Sequence, residues 1–91
     1  MKFVAEFGEA EKYQLEYEFN QLLGRLSIRI NKQLVKQTVR LVNEPVLEVH
    51  EFQVGDTMKS TIRIEKQRKP LLGHKNRLYW NNRLMKVVDG I

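Results

Sequence analysis

Five cations crowd one twelve-residue stretch, Lys66-Gln67-Arg68-Lys69-Pro70-Leu71-Leu72-Gly73-His74-Lys75-Asn76-Arg77, with no acid among them. Ammonium and guanidinium groups held close together recruit anions through charge-assisted hydrogen bonds. The anions that fit are the carboxylates of an acidic protein or the phosphates of a nucleic acid. Lys69 and Lys75 are expected in a loop, where both can converge on one partner. Tyr79 alternates with Arg77 and offers a ring on which a base or a partner side chain can stack. The candidate partner-binding set is therefore Lys66, Arg68, Lys69, Lys75, Arg77 and Tyr79. Two plainer readings stand beside it: a solvated charged loop, and Pro70-Leu71-Leu72 as a plug folded over the open end of a β-structure.

Other chemistry finds little support. His50 and His74 are the only histidines, cysteine is absent, and only two aspartates occur. No thiol nucleophile, disulfide or thiolate metal site can form, and two histidines with only two aspartates are a poor donor set for a metal. His50 is expected to point inward or lie at a strand edge, and His74 to be solvated within the basic loop. Ser27 and Ser60 lack the Gly-x-Ser-x-Gly context of a nucleophile elbow. The glycines are isolated, so no phosphate-cradling loop is present. Glu16 and Glu18 share one strand face, where paired carboxylates serve solubility. The expectation is a chain without catalytic residues and without cofactors.

The 91 residues carry a formal charge of +5 that is unevenly spread. Residues 1–20 set two lysines against five glutamates, a net of −3, whereas residues 57–91 set nine cations against Glu65 and Asp89, a net of +7. Opposite ends of unlike sign are suited to pairing, so a monomer or a weak dimer is expected. Glu6 interrupts the first apolar residues before a secretory stretch forms, and no run reaches membrane-spanning length. The expected setting is cytoplasmic, with no membrane.

What must position these groups is a set of strands. Tyr13, Leu15, Tyr17 and Phe19 alternate strictly with polar neighbours, which is the period of a strand with one buried face. Leu26, Ile28 and Ile30 alternate likewise, as do Ile62 with Ile64 and Leu78 with Trp80. Asn31-Lys32 and Asn81-Asn82 follow the third and seventh alternating stretches. Asparagine tolerates the positive φ that primed two-residue hairpin turns require.

The pattern is written twice. Ile28-Arg29-Ile30-Asn31-Lys32-Gln33-Leu34-Val35-Lys36 is echoed fifty positions on by Leu78-Tyr79-Trp80-Asn81-Asn82-Arg83-Leu84-Met85-Lys86. Gly8-Glu9-Ala10-Glu11-Lys12 matches Gly55-Asp56-Thr57-Met58-Lys59, Leu22-Leu23-Gly24 matches Leu71-Leu72-Gly73, and Phe3 to Phe7 matches His50 to Val54. Each half, 1–42 and 46–91, reads as a four-stranded meander meeting the other near Asn43-Glu44-Pro45. Four short strands cannot bury an apolar face alone. The expectation is one all-β domain over 1–91, an antiparallel β-sandwich of about eight strands, with a closed barrel as the alternative.

Leu15-Glu16-Tyr17-Glu18, Gly24, the alternating Arg25 to Ile30 and the Asn31-Lys32 turn resemble the Fas apoptotic inhibitory molecule family. Its β-sandwich domains carry an apolar-Glu-aromatic-Glu strand, a glycine loop and an Asp/Asn-Gly-Lys turn. Ile62 to Lys66 leading to Leu78-Tyr79-Trp80-Asn81-Asn82-Arg83 is similar to a later hairpin of that family. The turn glycine is replaced here by Lys32 and Asn82, and members are usually longer. The resemblance implies a non-enzymatic protein-interaction domain and supplies no catalytic residue. The functional expectation is a scaffolding or interaction domain whose basic loop binds an acidic protein partner. Weak, sequence-independent nucleic-acid binding through the same loop is the alternative, and a small enzyme using His50 or His74 a distant third.

Overall fold

The computed structural model describes residues 1–8, 12–40, 45–55, 59–71 and 73–90. Residues 9–11 and 56–58 of the matched glycine segments, Asn43 and Glu44 where the two halves were expected to meet, and Leu72 lie outside the described residues. Eight strands follow in order: β1 Lys2–Phe7, β2 Tyr13–Asn20, β3 Arg25–Ile30, β4 Gln33–Val39, β5 Leu47–Val54, β6 Ser60–Arg68, β7 His74–Trp80 and β8 Arg83–Gly90. Strands β1 to β4 form one antiparallel sheet in sequential order, and β5 to β8 form a second. The chain is thus all-β, with two open four-stranded meanders of the kind a sandwich is assembled from. Neither is closed, which excludes the barrel. The chain divides into two compact units, Met1–Glu44 and Pro45–Ile91, each holding one sheet.

Alternation explains each sheet's buried face. In the first unit Phe3, Phe7, Leu15, Tyr17, Phe19, Leu26, Ile28 and Ile30 are all buried. Phe3 lies opposite Tyr17 in the ladder, and their rings stack with centroids 4.7 Å apart. In the second unit Ile62, Ile64 and Leu78 are shut off from solvent. Each such aliphatic side chain contributes about 1.5–3 kcal/mol by leaving water.

The repeated nine-residue phrase encodes a turn and a bulge. Asn31, Lys32, Asn81 and Asn82 all take positive φ, between 48° and 68°, as a primed two-residue turn demands. The first asparagine of each turn also binds the neighbouring strand. Asn31 donates its N–H to the Gln14 carbonyl at 2.8 Å and accepts the Gln14 N–H on Oδ1 at 2.9 Å. Asn81 does the same with Thr61, both bonds at 2.8 Å. Asparagine thereby supplies one extra rung beyond the end of the ladder. Directly after each turn the register slips by one: Arg29 pairs Leu34 but Ile28 pairs Lys36, and Tyr79 pairs Leu84 but Leu78 pairs Lys86. Val35 and Met85 are the extra residues of two equivalent β-bulges.

Lys32 occupies its left-handed position without the side-chain hydrogen bond that helps asparagine there. Left-handed backbone costs a β-carbon-bearing residue about 1 kcal/mol or more. Lys32→Gly is expected to raise stability by about 1 kcal/mol, less some gain in unfolded-chain freedom. Chemical denaturation of the two proteins side by side checks this, and an unchanged or lowered midpoint contradicts it.

Candidate functional site: a basic concavity on the second sheet

Odd-numbered residues of β6 and β7 share the face of the second sheet opposite its apolar residues. The ladder sets Gln67 against Lys75, Glu65 against Arg77, and Arg63 against Tyr79. Strand β6 runs on to Arg68 and β7 begins at His74. The connecting loop is therefore short, and Lys75 lies on a strand, where the sequence reading expected a loop. Its position next to β6 is fixed by ladder hydrogen bonds.

Gln67, Arg68, Lys69, Pro70, Lys75 and Arg77 line one concavity of about 210 Å³. Arg77 Nη1 donates to Gln67 Oε1 at 2.9 Å, which holds the guanidinium against the sheet. Lys69 Nζ lies 3.3 Å from Asp89 Oδ1, and Asp89 is the ladder partner of Lys75. Both Lys69 and Asp89 are well exposed, so water and salt screen the pair and it adds little stability. A second concavity, of about 410 Å³, is lined by Met1, Lys2, Glu18, Phe19, Asn20 and Gln21. It is larger, but Glu18 offsets one of its two cations, Lys2 and the Met1 ammonium, leaving a single charge in excess. Charge, not volume, singles out the smaller one.

Four of the six sequence-selected residues, Arg68, Lys69, Lys75 and Arg77, are brought together here. Two are not. Lys66 follows Ile62 and Ile64 in strand parity and is only 4% exposed; it lies on the buried face, away from the other cations. Tyr79 is on the correct face but does not line the concavity. The Arg63 guanidinium sits 4.2 Å from its ring centroid, fixed there by Glu65 at 3.2 Å and by Asn82 Oδ1 at 2.7 Å. One side of the phenol is thus occupied by a cation–π contact. Arg63 was absent from the sequence-derived set, although its place opposite Tyr79 follows from two-residue periodicity once the hairpin is drawn.

The expectations for the loop tip and for His74 are corrected. Leu71 is 98% exposed, so Pro70-Leu71 plugs nothing. His74 is almost completely buried because it opens β7 with the parity of Asn76 and Leu78. His50 is buried, as its match to Phe3 implies, and its Nε2 lies 2.7 Å from Glu48 Oε1 on the same strand. A histidine and a carboxylate within hydrogen-bond reach are the elements of an acid–base pair, but both side chains here are more than nine-tenths buried, remote from bulk solvent. Glu48 faces Lys66 across the β5–β6 ladder, and Lys66 faces Asn76 across β6–β7. No group of three or more metal-ligating side chains occurs among the described residues. Among the described residues no helix is long and apolar enough to cross a membrane.

The chain matches no protein-family model, no curated protein and no solved structure.

Proposed function

We propose that the chain is a non-catalytic interaction domain that binds an acidic protein partner through the concavity between the β6–β7 loop and strand β7. One observation carries this reading: Arg68, Lys69, Lys75 and Arg77 converge on a single concavity, and the salt bridge there engages one exposed carboxylate, Asp89. Like charges assembled this closely repel one another, and an incoming carboxylate cluster relieves that repulsion while steering its own approach. The likeness of the hairpins to those of the Fas apoptotic inhibitory molecule family supports an interaction role, and the cytoplasm is the compartment the reading assumes.

Nucleic acid is the second reading, because the same cations suit phosphates. It is weaker, since Arg63 already occupies one face of Tyr79 and takes away a stacking surface for bases. Phosphate contacts by four cations predict a log–log salt slope of roughly −3 to −4 for duplex DNA. No oligonucleotide binding at low salt removes this alternative.

Affinity capture from native cell extract tests the main reading. Lys69→Glu/Lys75→Glu reverses two charges at exposed or half-buried positions and is expected to fold normally while losing most captured acidic partners. An unchanged set of partners places the contact elsewhere.

A further inference from the structure

We infer that Leu71 is the apolar anchor of this contact, so that the partner presents an apolar patch flanked by carboxylates, not acidity alone. The inference rests on the acidic-partner reading and makes it more specific.

Leu71 is 98% exposed. It follows Pro70, which lines the basic concavity together with Lys69, so the leucine stands at the rim of the cationic cluster. The ends of the loop are tied together. The Lys69 N–H donates to the Gly73 carbonyl at 2.9 Å, Gly73 turns the chain at φ 95°, and the proline ring fixes φ at position 70. A leucine presented on a closed turn loses little conformational freedom on docking, which is the property of a preorganised anchor. The cations supply approach and orientation but are screened by salt; an apolar side chain leaving water supplies the affinity that salt does not weaken.

The other half of the molecule provides an internal control. Leu22 holds the matching place in the β2–β3 hairpin and is 91% exposed. The concavity at that end of the first sheet sets Glu18 against Lys2 and the Met1 ammonium, a much smaller cationic excess than that of Arg68, Lys69, Lys75 and Arg77. Two highly exposed leucines thus differ in electrostatic setting, and Leu71 is the one beside the denser cluster of cations.

The test uses the full chain and two fluorescent peptides of equal length and charge, one alternating Glu with Ser and the other Glu with Leu. The Glu/Leu peptide is expected to bind about tenfold to a hundredfold more tightly, the factor for burying a leucine. Leu71→Ser should erase that preference and leave the salt dependence alone, whereas Leu22→Ser should preserve both. Lys69→Glu/Lys75→Glu should weaken both peptides together. Equal binding of the two peptides, or a preference that survives Leu71→Ser, overturns the anchor and leaves the basic concavity standing. Failure of both peptides at low salt removes the anchor and the acidic-partner reading at once. Vesicles of equal parts phosphatidylcholine and phosphatidylserine form a third arm. Leu71-dependent binding to vesicles without peptide binding overturns the protein-partner assignment in favour of a bilayer surface.

Discussion

Gly24→Ala should lower the unfolding free energy by about 3–5 kcal/mol, a large share of the 5–15 kcal/mol that a domain of ordinary stability has. A β-carbon placed on Gly24 would lie 1.8 Å from the Arg40 carbonyl oxygen and 2.6 Å from its carbon. Both are backbone atoms, so no side-chain rotation relieves the overlap. The residue sits at φ 63°, where any residue with a β-carbon adds about 1 kcal/mol of strain. The Gly24 carbonyl also accepts the Arg40 N–H at 2.8 Å, and separating the two strands by the distance a methyl needs forfeits that bond, about 1 kcal/mol more. Overpacking typically adds about 1–3 kcal/mol. Urea unfolding followed by far-ultraviolet circular dichroism reads the change. A loss under about 1 kcal/mol would mean that the β3–β4 edge yields far more easily than its ladder implies.

The second large effect concerns the polar residues inside the second unit. The Phe19 and Leu26 rung of the first sheet corresponds to Lys66 and Asn76 in the second, and Phe3 corresponds to His50. At those three places one copy buries hydrocarbon and the other a histidine, a lysine and an asparagine, joined by Glu48, whose counterpart Met1 is half-buried. Glu48→Ala removes the carboxylate that lies 2.7 Å from His50 and opposite Lys66. Taking one partner out of a buried polar cluster that holds a lysine costs about 3–5 kcal/mol, because the groups left behind stay buried. Replacing the whole group with the first unit's pattern, Glu48→Met with His50→Phe, Lys66→Phe and Asn76→Leu, is expected to be neutral or to stabilise by about 1–4 kcal/mol. Thermal and denaturant melts of both variants decide it. A silent Glu48→Ala would show that the carboxylate does not compensate its neighbours.

The strands and turns were legible because their signal is local. Two-residue alternation needs only the residues of one strand, and positive φ at Asn31 and Asn81 needs only a short side chain. The bulges were written in the repeated Leu-apolar-Lys ending, but a one-residue register slip leaves no trace in composition. The basic site was half legible. Arg68, Lys69, Lys75 and Arg77 were found by charge density, which ignores direction. Direction is what separates Lys66 from Lys75 and Arg77, and the parity of Ile62 and Ile64 contained it; Arg68 shares that parity but is exposed because β6 ends there. His74 was misplaced for a related reason: a run of cations reads as loop, while β7 in fact begins at that residue. An inward plug stood as one alternative for Pro70-Leu71-Leu72, because nothing local distinguishes a plug from a projection.

The doubled bulge also bears on how this molecule behaves when concentrated. An outermost strand is a template on which another chain can extend a sheet, and long regular ones seed fibrils. Strands β4 and β8 close one side of each sheet, yet the slip at Val35 and Met85 leaves their free hydrogen-bonding groups out of phase with any straight newcomer. Lys36 and Lys86, opposite buried Ile28 and Leu78, would force charge into the layer such growth must dry. Leu34, Val35, Leu84 and Met85 can thus stay solvent-exposed without making those borders sites of amyloid-like propagation.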